Sequence, residues 1–156
     1  MKQIELTQNK YTLVDDEDFA YLNQWKWHFN KSRKNDVGRA ARIVNRKMIY
    51  MSRLIMNPPK NKQIDHIDGN SLNNQKENLR VCSNAENLRN RSKQRNNFSG
   101  FKGVSWDKSR NNWRVAIQIN KKDMFLGRFK TKEKAALTYN KAAKKYFKMF
   151  ARLNSV

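Results

Sequence analysis

The chain carries one cysteine, Cys82, among 156 residues, which excludes a disulfide scaffold and a cysteine-rich zinc site. It has two prolines and five glycines, too few for a collagenous or low-complexity chain. No apolar run approaches the ~20 residues that span a bilayer, and Met1–Lys10 lacks the character of a signal peptide. Acid is scarce too. Thirteen Asp and Glu stand against 34 Lys and Arg, a net charge of +21. An excess that large predicts a polyanionic partner, nucleic acid before an anionic membrane surface. A hydrophobic fraction of 38%, with four Trp, five Tyr and eight Phe, argues against a disordered basic tail. The length accommodates one ordinary domain or two or three very small ones.

Composition changes twice along the chain. Residues 1–56 hold a cluster of acid (Asp15, Asp16, Glu17, Asp18) and several short apolar runs. Tyr11–Val14, Arg42–Val44 and Met48–Met56 read as strands, and Asp15–Leu22 as a short helix or turn. Trp25, Trp27 and Phe29 are the expected core, with His28 as a packed member of that aromatic layer. Asn57-Pro58-Pro59 stops regular structure. Residues 61–91 are rich in Asn. Ser92–Gly100 has linker composition, and 101–154 form a further unit with its own aromatic residues.

The Asn-rich segment reads QIDHIDGNSLNNQKENLRVCSNAENLRNR from Gln63 to Arg91. Gln63–Ile67 fits a short strand, Asp68-Gly69-Asn70 a turn, and Leu79–Cys82 a second strand. Ser83 followed by Glu86 is a capping box, which starts a helix carrying Asn87. Too little of the segment is apolar for a core of its own, so residues 1–56 are expected to support it. Asp68, Asn70, Asn73 and Asn74 read as loop formers.

This segment resembles the His-Asn-His (HNH) nuclease motif, the ββα-metal fold, in its phage and intron-encoded branch. Asp65-His66, then Asn78 after eleven residues, then Asn87 after eight more match the motif's order. The resemblance implies that Asp65 and Asn87 ligate one Mg²⁺ or Mn²⁺ per active site. It further implies that His66 is the general base and that Asn78 braces the loop orienting it. Those residue types suit phosphodiester hydrolysis: imidazole is neutral near pH 7, and an oxygen-ligated cation stabilises charge without competing for the imidazole. Many relatives have a His-Arg pair ahead of the motif; here Ser52-Arg53 stands in MSRLIM. Arg53, Arg89 and Arg91 are candidate phosphate contacts, and Arg80 is a further one.

In the last unit, Phe101–Val104, Trp113–Ile119 and Met124–Phe129 read as strands. Asn111-Asn112 and Asn120-Lys121-Lys122-Asp123 supply the turns. Thr131 caps a helix from about Lys132 to Phe150, whose inner face holds Ala136, Tyr139, Ala143 and Phe147. The alternation of Trp113, Val115, Ile117 and Ile119 sends Arg114, Ala116, Gln118 and Asn120 outward. A basic sheet face with no covering element fits the major groove. The text GFKGVSW, WRVAIQI and FLGRFKTKEKAALTYNKAA resembles the Apetala-two/ethylene-response-factor DNA-binding domain. By position the resemblance implies DNA contacts from Lys102, Ser105, Arg114, Gln118 and Phe125. Trp106, Lys108 and Arg110 are placed in the first turn, also toward DNA.

The expectation is an α+β chain. Residues 1–91 form an HNH endonuclease domain, with a β-rich platform over 1–60 and the ββα-metal motif over 61–91. A basic linker follows over 92–100, then an Apetala-two-like domain of a three-stranded antiparallel sheet plus one helix over 101–156. The expected function is a site-preferring, nicking, homing-type endonuclease acting on double-stranded DNA. It is expected to be a monomer, or a dimer on DNA, in the cytoplasm of a phage-bearing bacterium and away from membranes. The alternative is a catalytically inactive, sequence-specific DNA-binding regulator.

Overall fold

The chain opens with an antiparallel hairpin of β1 (Lys2–Leu6) and β2 (Lys10–Val14), in register from Lys2 opposite Val14 to Leu6 opposite Lys10. The alternation buries Ile4, Leu6, Thr12 and Val14 on one face. The computed structural model describes residues 1–31, 38–94 and 96–156. By their internal contacts these form two compact units, Met1–Asn87 and Leu88–Val156. The expected linker, 92–100, lies within the second.

In the first unit, α1 (Asp16–Leu22) follows β2. Its three acidic residues occupy the first turn, where the helix dipole favours negative charge. A second sheet runs β3–β4–β5 (His28–Asn30, Arg39–Val44, Lys47–Tyr50), all antiparallel. Helix α2 (Met51–Met56) leads to β6 (Gln63–His66) and its partner β7 (Leu79–Cys82), and α3 (Asn84–Asn90) closes the motif. The core joins Ile4, Leu6, Val14, Leu22, Trp27, Ala40 and Met51, with Trp25 and Phe29 packed against them. The Trp27 indole N–H donates to Leu22 O at 2.9 Å, so its burial leaves no donor unsatisfied.

Two expectations for this unit need correction. Met48–Met56 is strand only through Tyr50; Met51–Met56 is helix. Met51, Leu54 and Ile55 recur at helical spacing against the core, and Asn57, at φ 39°, ends the turn with its N–H on Arg53 O. A short apolar run can satisfy either period, and here the tertiary surface selects the helix. His28 is exposed rather than packed. Strand β1 was not anticipated, although Ile4 and Leu6 alternate with polar neighbours as a half-buried strand requires.

The hairpin supports the motif directly. Leu13 N–H donates to Leu72 O and Asn74 N–H to Leu13 O, each at 2.8 Å, so the β2 edge holds the loop between β6 and β7. Ser71 Oγ donates to Gly38 O at 2.6 Å, tying that loop to the head of β4 as well.

The second unit is a sheet in the order β10–β9–β8 (Lys122–Phe129, Asn112–Ile119, Val104–Asp107) backed by α4 (Lys132–Phe147). Its core is Val104, Val115, Ile117, Ala135, Ala136, Tyr139, Ala142, Ala143 and Phe147. Thr131 Oγ1 accepts the Lys134 N–H as the N-cap. The first strand begins at Val104 rather than Phe101. Gly103 turns at φ 76°, and a Cβ there would lie 2.2 Å from the Tyr139 ring, so Phe101–Gly103 form a turn wrapped around that tyrosine. Asn154 fastens this turn: its Oδ1 accepts Lys102 N–H and its Nδ2 donates to Lys102 O. Helix α4 ends at Phe147, with Lys148 at φ 49°.

Candidate active site and nucleic-acid face

In β6, Gln63 and Asp65 are two residues apart and therefore share a face. Asp65 pairs in register with Arg80 of β7. The Arg80 Nε and Nη2 donate to Asp65 Oδ2 at 2.8 and 2.6 Å, an ion pair with both side chains buried. The capping box forms as the sequence predicts. Ser83 N–H donates to a Glu86 carboxylate oxygen at 2.7 Å, and Glu86 N–H donates back to Ser83 Oγ at 3.3 Å. It starts α3 so that Asn87 Nδ2 reaches Gln63 Oε1 at 2.6 Å. Gln63 thus bonds Asn87 of the helix and shares a strand face with Asp65.

His66 ends β6, and a buried polar relay orients it. Asn74 Nδ2 donates to Thr12 Oγ1 at 2.8 Å, and Thr12 Oγ1 donates to Leu72 O at 2.8 Å. The Asn74 amide is thereby fixed with Oδ1 toward His66 Nε2, 3.2 Å away. Nε2 must then carry the ring proton, leaving the lone pair on Nδ1. Burial holds the imidazole below its ordinary pKa of 6.5; the Asn74 bond opposes that shift and the Arg39 charge adds to it. A ring so placed is neutral at neutral pH.

Asn78 closes the loop beneath. Its Nδ2 reaches Asp68 Oδ1 at 3.0 Å and Asn73 O at 2.8 Å, and its Oδ1 accepts Asp68 N–H at 3.0 Å. Asp68 also accepts from Asn70 N–H and Asn73 Nδ2. These bonds favour its charged form, and its carboxyl is held below the ordinary value although desolvation opposes the shift. Thr12 and Asn74 were not singled out as site residues by sequence. Thr12 sits 62 residues before its partner Asn74, and Asn74 reads as one loop asparagine among several.

A carboxylate oxygen such as that of Asp65 and an amide oxygen such as that of Asn87 are hard donors, the kind that Mg²⁺ or Mn²⁺ takes. Among the described residues no three His, Cys, Asp or Glu side chains gather as a metal cluster; water and phosphate oxygens would complete the sphere. Arg53 donates from Nη1 to Lys62 O at 2.9 Å, bracing the segment that enters β6. Cys82, at the end of β7, is buried, and burial with the Asp65 and Glu86 charges pushes its thiol up to about 11.

In the second unit, the sheet face away from α4 carries Ser105, Arg114, Gln118 and Phe125. Ser105 pairs with Arg114. Gln118 is opposite Asp123 and donates to it at 3.1 Å. A bulge between Phe125 and Gly127 brings Arg128 opposite Arg114. The half-exposed Phe125 ring then lies 5.8 Å from the Arg114 guanidinium and 4.8 Å from that of Arg128. Arg128 also donates to Asp107 Oδ2 at 3.1 Å. Sequence reading passed over Arg128 because the strict alternation ignores the bulge.

Trp106 lies on β8 rather than in the turn, opposite Trp113 with ring centroids 4.9 Å apart; the pleat puts it on the other face from Ser105. Lys108 and Arg110 are exposed in the β8–β9 turn. Lys102 does not project outward. Its Nζ donates to Arg89 O and Arg91 O at 2.6 and 2.7 Å, and burial lowers its pKa to about 8. The Arg89 guanidinium lies 5.1 Å from the Phe147 ring centroid, and Arg91 is exposed.

Residues 57–96 match the HNH endonuclease family. The chain is 48% identical over 59 residues to Protein 3.8 of Escherichia phage T7, across 38% of this chain and 49% of that protein. The alignment thus spans about half the length of the phage protein. An uncharacterized HNH endonuclease, L560, of Acanthamoeba polyphaga mimivirus is 28% identical over 146 residues, across 94% of this chain and 75% of its own. No solved structure matches the chain. The segment from the end of α2 past α3 is thus similar to an HNH endonuclease domain. No helix among the described residues is long and apolar enough to cross a membrane.

Proposed function

We propose that this chain is a metal-dependent endonuclease that hydrolyses phosphodiester bonds in double-stranded DNA. The observation that carries this reading is the Thr12–Asn74–His66 relay, which presents a neutral imidazole with its Nδ1 lone pair unprotonated. In this reading Nδ1 takes a proton from the attacking water, the resulting hydroxide adds to phosphorus, and the bond to the leaving oxygen breaks. Asn78 keeps the β6–β7 loop in place. Asp65 and Asn87 would hold one Mg²⁺ or Mn²⁺, which supplies charge stabilisation to the phosphorane and the leaving oxygen.

The second unit would bind the duplex through Ser105, Arg114, Gln118 and Phe125, with Lys108 and Arg110 beside them, in the manner of an Apetala-two-like domain. Arg53, Arg89 and Arg91 would meet phosphates. Lys102 would act indirectly, by fixing the backbone that carries Arg89 and Arg91. Tethering a small nuclease module to such a reader raises its local concentration at a preferred site, the logic of a homing-type enzyme. As a monomer it cuts one strand, and it acts in the cytoplasm of the infected host.

Supercoiled plasmid incubated with the full chain tests this. Nicked circles should accumulate with Mg²⁺ or Mn²⁺ and stop with EDTA; equal nicking in EDTA would overturn the metal requirement. A second reading, a DNA-binding regulator without cleavage, draws on the hold Arg80 has on Asp65 Oδ2. It requires tight duplex binding with no nicking under any divalent cation.

The relay makes its own prediction. Thr12→Val keeps the shape of Thr12 but strands the Asn74 amide donor, so Asn74 loses its fixed orientation. Cleavage kcat should fall about 10- to 100-fold with KM unchanged. Steady-state kinetics on a nicked-plasmid readout measures the split, and an unchanged kcat would remove the relay from the mechanism.

A further inference from the structure

Among the described residues Phe98 is the most exposed of the large apolar side chains, at 91%. Its surroundings are not loose. Ser99 beside it is buried, with Oγ 2.8 Å from Val104 O and accepting Phe101 N–H at 3.1 Å. Asn97 on the other side donates from Nδ2 to Phe101 O at 2.9 Å and accepts Gly100 N–H on Oδ1 at 2.9 Å. Gly100 takes φ 80°, and its carbonyl accepts Lys93 Nζ at 2.7 Å. A turn pinned on both sides of one residue holds that residue out at little further entropy cost.

A lone exposed apolar side chain is ordinary by itself; one whose two neighbours are pinned so that the ring stands out into water is set up for a cover that arrives on binding. The chemistry around Phe98 identifies the cover. Between Glu86 and Asp107 the chain has no acidic residue, while Arg89, Arg91 and Lys93 supply positive charge. A protein partner with an apolar pocket would have to accept that unbalanced charge. A duplex meets it with phosphates and offers the faces of its base pairs to the ring.

We propose that Phe98 is a wedge that inserts between adjacent base pairs of the bound duplex, partly unstacking them and bending the DNA. This rests on the reading that the chain binds double-stranded DNA, and extends it from the strand face of the second unit to the turn that precedes β8. The basic groups around the turn hold the backbone on either side of the opened step, and the ring replaces the lost stacking.

Permanganate, which oxidises unstacked thymines, probes this on a duplex fragment that the full-length protein binds. The parent protein should produce hyperreactive thymines within its footprint. Phe98→Ala should abolish them and weaken binding by roughly 5- to 150-fold, with the slope of affinity against salt unchanged because no phosphate contact is lost. Phe98→Leu should retain most of the reactivity, since an aliphatic wedge also unstacks a step. Unchanged permanganate reactivity in Phe98→Ala would overturn the wedge while leaving duplex binding intact. A lowered melting temperature of Phe98→Ala without DNA, with the reactivity retained, would also overturn it, by showing that the ring packs against protein. Failure of the parent protein to bind duplex at all would defeat the DNA-binding reading and the wedge together.

Discussion

Replacing His66 with alanine should lower the single-turnover rate of strand cleavage by about 10²- to 10⁴-fold, the range for loss of a positioned general base. DNA affinity and melting temperature should stay close to those of the parent. The expected separation follows from the local geometry. His66 bonds Asn74 through its side chain, and the Asn74 amide keeps its donor bond to Thr12 and its backbone bond to Leu13 without it. The loop should therefore survive the truncation. What disappears is the Nδ1 lone pair. Quench-flow cleavage alongside fluorescence anisotropy on the same duplex gives both numbers, and cleavage at the parental rate would remove His66 from its assigned role. Asn at this position would restore bulk and one polar contact but no proton acceptor of suitable basicity, so it should be as inactive as alanine.

Arg80→Ala should destabilise the first unit by about 3–5 kcal/mol, the usual cost of stranding one member of a buried ion pair. Both side chains of the Asp65–Arg80 pair are less than a tenth exposed, so water cannot readily replace the two bonds that Arg80 gives Oδ2. Urea denaturation of the full chain, followed through the fluorescence of Trp25 and Trp27, measures the loss. The double replacement Asp65→Leu with Arg80→Met offers the sharper comparison: it removes both charges and should recover much of the stability while remaining inactive. If Arg80→Ala unfolds within ~0.5 kcal/mol of the parent, the pair is energetically neutral and the buried-charge account fails.

How much of this was legible in the sequence depends on the range of the interaction. Leu79–Cys82 and the Ser83–Glu86 capping box rest on contacts a few residues long, and both were legible. The inner face of α4 was equally so, because Ala136, Tyr139, Ala143 and Phe147 obey a single period. Met51–Met56 misleads because six residues fit both periods, and only the tertiary surface it packs against, β4 above all, decides between them. The start of β8 moved by three residues because Gly103 must pass close to Tyr139, a partner 36 positions later in the chain. In the candidate site, Asp65, His66, Asn78 and Asn87 stand out as candidates through the resemblance of their order and spacing to the HNH motif. Asn74 was hidden among like neighbours; its distinction is the Thr12 hydroxyl, supplied from across the first unit. Arg80 was weighed for phosphate, yet its guanidinium is committed to Asp65. Arg128 was obscured by the one extra residue at the bulge.

The state of Cys82 has a practical consequence. With its thiol buried and its acidity suppressed, almost none of it is thiolate at neutral pH, so alkylating reagents and mild oxidants should pass it by. The natural chain therefore behaves as though it were cysteine-free. A cysteine placed at any exposed position becomes a unique attachment point for a dye, a spin label or a photocrosslinker, with no background to subtract.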